Sequence, residues 1–166
     1  MGRLAAGWGV VGVVGLLSMA IYRLGAVTLE SLQFEYQWYH WCLLGANVAF
    51  MCYAEGYRGF QRSFSPRFAA RARHMRSHPT LVRVVLAPLF CIGYFETTRR
   101  RLVSVYLLTI GIVALVITFH QISQPWRGIM DAGVVFGLFW GLVSLLWCSF
   151  IALGEADYPY SPELPV

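Results

Sequence analysis

Polar and apolar positions along this chain separate on the scale of whole segments. Four stretches, 4–22, 36–54, 102–119 and 132–154, carry no Asp, Glu, Lys or Arg, and the shortest of them is 18 residues. At a rise of about 1.5 Å per residue each makes a helix of roughly 27 Å or more, enough to cross the hydrocarbon of a bilayer. The pattern predicts an all-α protein, an integral membrane four-helix bundle with one membrane domain over 1–154. The first stretch, with Arg3 ahead of it and Ser18-Met19-Ala20 near its end, has some features of a signal peptide. Its 19 uncharged residues exceed the usual ~7–15-residue signal core, so it is read as a span.

Between the second and third stretches the pattern changes. Residues 56–101 contain Arg58, Arg62, Arg67, Arg71, Arg73, Arg76, Arg83 and Arg99 to Arg101, interrupted by one acid, Glu96. By the positive-inside rule this segment is a cytoplasmic basic loop. Ser65-Pro66 has the form of a helix start and His78-Pro79 of a stop. Phe64, Phe68, Ala72 and Met75 recur at helical spacing, with Arg67, Arg71 and Arg73 assigned to other faces, which predicts a short basic amphipathic helix beside the membrane. The run 84–95 contains Pro88 and is too short for an easy crossing. It is read as interfacial or re-entrant, with the helix after Pro88 continuing through the triple arginine into the third span. A fifth crossing is the alternative. The tail, 155–166, holds three prolines and three acids and no apolar period, which predicts an extended cytoplasmic segment.

Composition supports the membrane reading. Charged residues make up 13% of the 166 and hydrophobic ones 58%, whereas soluble domains carry about 25% charged residues. The basic surplus, 13 against 8, is all arginine and is local. Placing the basic loop and Arg3 inside leaves Arg23 and Arg127 outside and puts both termini in the cytoplasm, with the bacterial-type inner membrane as the expected location. A nucleic-acid partner is not supported, because no reading module accompanies the arginines. Cys42, Cys52, Cys91 and Cys148 fall in apolar runs without ligand spacing, so neither a disulfide framework nor a metal site is expected.

Candidate chemistry lies in three places. Gly133, Gly137 and Gly141 form a Gly-xxx-Gly face for close helix packing, within the protein or with a partner. Along the second span Gln37, His40, Leu44, Asn47, Met51 and Glu55 follow one face, a polar stripe that should point inward. His40, Asn47 and Glu55, with His120, Arg127 and Asp131, are candidate ligand-binding residues. Two histidines at similar depth are the minimum for haem b and also suit a quinone headgroup, though Trp38, Trp41 and Trp126 around them read equally as an aromatic belt. Arg67, Arg71, Arg73, Arg76, Arg99, Arg100 and Arg101 are candidate contacts for anionic phospholipid or an acidic partner.

No nucleophile elbow, zinc-protease helix, phosphate loop or CxxC pair occurs. No catalytic residue or resident cofactor is expected. The sequence thus points to an accessory or interaction subunit that packs through its glycine faces, as a homo-oligomer or with a membrane-protein partner. A small-molecule binder using the polar stripe, of redox or proton-coupled type, is the alternative.

Overall fold

The computed structural model describes residues 2–155 and 158–164, and no strand occurs among them. The helices are α1 (Gly2–Ser31), α2 (Trp38–Met51), a π-helical segment (Cys52–Phe64), α3 (Ser65–Ser77), α4 (Leu81–Val85), α5 (Ala87–Ile92), α6 (Arg99–His120) and α7 (Trp126–Gly154). Three of them, α1, α6 and α7, are long and apolar enough to cross a membrane, which fits a membrane-embedded helical protein.

The expected second span does not stand as a separate helix. The 14 residues of α2 run without a break through the π segment into α3, making one rod from Trp38 to Ser77. Ser65 is therefore no cap: its φ of −60° and ψ of −42° are helical. The reason for the π winding is visible in the spacing. Asn47 and Met51 lie against Gly133, Glu55 against Gly137, Gly56 against Trp140 and Phe60 against Gly141. An α-helix continued from Met51 at about 3.6 residues per turn would next bring Arg58 and Arg62 to that face. The wider i→i+5 winding passes over them, leaving both exposed and placing Gly56 and Phe60 on α7 instead.

α7 runs beside the rod in the same direction, and α1 runs opposite to both. At one end a Cβ on Gly128 would overlap Ser31, while the Gln124 amide approaches the Val27 carbonyl at 3.5 Å. At the other, Gly2 meets the Arg76 carbonyl and the Arg76 guanidinium donates to the Leu153 carbonyl at 2.7 Å. Three rods thus pack along their lengths. The 30 residues of α1 give about 45 Å, close to the thickness of a bilayer with its headgroups.

α6 stands apart from this bundle. It touches α7 only sparsely, and Val105 is its one buried residue. The packed bundle is thus α1, the rod and α7, and the rod's arginine-rich α3 supplies much of its core. Its Phe68, Ala69, Ala72 and Met75 are buried with Ala5, Ala6 and Val13 of α1, Leu145 of α7, and Ala87, Phe90 and Cys91 of α5. The expected helix is present at the expected place in the chain, and its apolar face, with Arg71, is buried in the core. Nor does α5 continue into α6. Gly93, at φ 103°, ends it in the left-handed region that glycine alone enters freely, and α6 starts afresh after Thr98.

Candidate functional site

The polar stripe of the rod and the glycine face of α7 meet each other. With no side chains at Gly133, Gly137 and Gly141, the rod's own side chains fill the groove. Asn47 donates through Nδ2 to the carbonyls of Ile129 at 2.8 Å and Met130 at 3.3 Å. These acceptors are ones that a helix interior already uses, so the amide adds an interhelical bond of the kind worth about 0.6–2 kcal/mol in lipid. Glu55 presses on Gly137, and its Oε2 is buried without a hydrogen-bond partner.

At the α7 N-terminal end the remaining candidates gather. His40 is 6% exposed. Its Nδ1 accepts the Gln37 backbone N–H at 3.0 Å, capping α2, and its ring lies 4.9 Å from that of Trp126, edge to face. His120 Nδ1 is 3.1 Å from the Arg127 guanidinium, and Arg127 Nε is 3.7 Å from Asp131 Oδ2. At that distance Asp131 Oδ2 receives no hydrogen bond, and the residue is 4% exposed. The structure therefore gathers His120, Arg127 and Asp131 into one cluster, sets His40 against Trp126, and seats Asn47 and Glu55 deeper in the glycine groove. His40 and His120 thus have separate partners. Among the described residues no group of three or more His, Cys, Asp or Glu is placed to hold a metal ion.

The arginine-rich end is built around Arg71, which is 3% exposed. Its Nε donates to the Phe90 carbonyl at 2.6 Å and one terminal nitrogen to the Pro162 carbonyl at 2.9 Å. The other reaches the carbonyls of Phe95 at 2.8 Å and Glu96 at 3.2 Å. The guanidinium also stacks 4.3 Å from the Phe90 ring centre. Burial draws its pKa down to about 10, still well above neutrality, so the group stays charged. Arg71 is thus turned inward, away from any lipid or partner. A signal for this was present: Arg71 follows Phe68 by three and precedes Met75 by four, the relation of residues on one helix face.

Around it, Arg83 pairs with Glu96, Nε to Oε2 at 2.6 Å, and Arg67 lies 3.7 Å from Glu163. Arg67 is also held by the Ser63 carbonyl and hydroxyl, and Arg73 lines a 210 Å³ groove with His74, His78, Tyr158 and Tyr160. Arg101 is half-buried near Gly93, while Arg76, Arg99 and Arg100 are exposed. Exposed too are Arg58 and Arg62, which the sequence did not single out as contacts. A second, apolar groove of 410 Å³ lies between Gln61 and the Phe136, Trp140 and Trp147 side of α7.

Comparison with protein-family models, with curated proteins and with solved structures finds no match.

Proposed function

We propose that this protein is a multi-pass, inner-membrane interaction subunit whose arginine-rich end rests on anionic lipid and whose α6 is free to meet lipid or a partner helix. The observation that carries the reading is the exposure of Arg76, Arg99 and Arg100 at an end where Arg71 and Arg83 are already satisfied within the fold. Exposed guanidinium groups beside a bilayer gain about 1 kcal/mol each from an anionic surface, and their planar forks suit phosphate. The glycine face of α7 contributes to the fold, because the rod fills it. The surface left for a partner is therefore α6.

In this reading α1, the rod beside α7, α6 and α7 itself cross, and both termini lie in the cytoplasm at the arginine-rich end. Gly2, Ser77, Arg99 and Gly154 all fall toward one end of the bundle, which supports an even number of crossings. A reporter fused to the C-terminus is expected to read cytoplasmic. A periplasmic signal would replace this topology with an odd number of spans.

The alternative, a small-molecule binder of quinone, haem or proton-coupled type, is favoured by one observation: the buried Glu55 and Asp131 oxygens without hydrogen-bond donors. Purification in mild detergent separates the two. The lipid-facing reading expects phosphatidylglycerol to be retained over phosphatidylcholine, and retention to fall when Arg99 and Arg100 are replaced by glutamine. A stoichiometric quinone or a Soret band, with no lipid preference, would establish the alternative instead.

A further inference from the structure

The described part of the tail is folded back onto the arginine-rich end. The Pro162 carbonyl is bound by Arg71, the Glu163 carbonyl accepts from the Thr97 hydroxyl at 3.2 Å, and Leu164 packs against the core. These contacts set the Glu163 carboxylate beside Arg67 at 3.7 Å, with the half-buried Arg101 within Coulombic range of the pair. Glu163 is also one of two described non-glycine residues with positive φ, at 49°, and its backbone N–H is held by the Ser161 hydroxyl at 3.2 Å. The other is Glu96, at 48°. Such conformations persist only where the surroundings impose them, and here both belong to glutamates whose carboxylates face arginines.

The Glu163 contact is loose. At 3.7 Å the pair makes no hydrogen bond, and both side chains are about one-third exposed. Arg67 is meanwhile held in place by Ser63 through Nε and one terminal nitrogen, which aims the other at the carboxylate. An exposed pair of this kind contributes little, and the one free terminal nitrogen readily exchanges the carboxylate for another anion. Arg101 immediately precedes the uncharged stretch 102–119, which sets the site at headgroup level if α6 spans.

We propose that Arg67 and Arg101 form a site for the headgroup phosphate of an anionic phospholipid, and that the 158–164 segment is its built-in competitor, with Glu163 in the phosphate's place. The inference rests on the lipid-facing reading of this end and adds a site and its regulation.

The test uses the full chain in detergent, titrated with phosphatidylglycerol, phosphatidylcholine or inorganic phosphate. Lipid binding is read by native mass spectrometry and tail release by hydrogen exchange of 158–164. Glu163→Gln is expected to raise phosphatidylglycerol affinity by about fivefold, the worth of a surface pair near 1 kcal/mol. In the wild type, phosphatidylglycerol should speed exchange of the tail, and Arg67→Gln should remove both effects. Unchanged affinity in Glu163→Gln, with the wild type still preferring phosphatidylglycerol, overturns the competitor alone. An absence of preference in every form overturns the lipid-facing reading with it. Tail release by inorganic phosphate at equal concentration overturns the lipid as occupant.

Discussion

Replacing Arg71 by methionine is expected to collapse the arginine-rich end of the protein. The side chain is of similar length and apolar, so the core around Phe68 and Phe90 still fills, but the Pro162, Phe95 and Glu96 carbonyls lose their donor, while the Phe90 carbonyl keeps the Gly93 N–H at 3.1 Å. A buried polar group left unsatisfied costs about 1–3 kcal/mol. At the low end of that range three such groups total about 3 kcal/mol, a large part of the whole stability of many domains at about 5–15 kcal/mol. For a chain of this size that corresponds to a fall of about 6–12 °C in Tm, measurable by circular dichroism in detergent.

The segments that should loosen first are those held by this one group: the end of α5, the turn at Phe95 and Glu96, and the tail at Pro162. Hydrogen exchange should rise there before it rises in α7. Arg71→Lys keeps the charge but presents a compact ammonium in place of a planar fork. It cannot reach three chain segments at once, so it is expected to fall between wild type and methionine. A methionine variant that melts with the wild type would mean that these carbonyls find other donors and that the arginine does not organise this end.

Arg71 also shows where the sequence was readable and where it was not. The segregation of charge made the helical, membrane-embedded character of α1, α6 and α7 legible, because an uncharged run of 18 residues or more leaves few alternatives. The helix from Ser65 was legible from its proline and its apolar period. Its burial was not, because a run of arginines reads as a solvated face unless the acceptors are known, and those acceptors are backbone carbonyls of distant segments that carry no residue signature. The π winding was hidden for a related reason: the apolar period of 3.6 that identifies a helix does not describe one whose contacts fall at Met51, Gly56 and Phe60. The facing of the polar stripe and the glycine groove was half legible. Each pattern was plain on its own helix, and only the packing of α7 against the rod joined them.

That joined interface carries the second large effect, expected from Gly141→Leu. A Cβ built at Gly141 overlaps Phe60 Cγ and lies within 2.7 Å of two further ring carbons, so even alanine requires the ring to move. The ring is fixed in turn by Phe64, 5.4 Å away between centres and edge to face, and cannot simply swing aside. Overpacking by single methylenes costs about 1–3 kcal/mol, and leucine adds several carbons at the closest approach of the two helices. The rod should separate from α7 at this level, lowering the melting temperature and breaking the Trp140–Gln61 side-chain hydrogen bond of 2.8 Å. Phe60→Ala in the Gly141→Ala background is expected to recover part of the loss, giving a coupling energy of about 1–3 kcal/mol in a double-mutant cycle. Gly111→Ala on α6 is the matched control: nothing lies within 4 Å of its Cβ position, and helix propensity there favours alanine by up to about 1 kcal/mol. Equal melting of Gly141→Leu and Gly111→Ala would mean that α7 does not press against the rod through its glycines, and the contact between the polar stripe and the groove would fall with it.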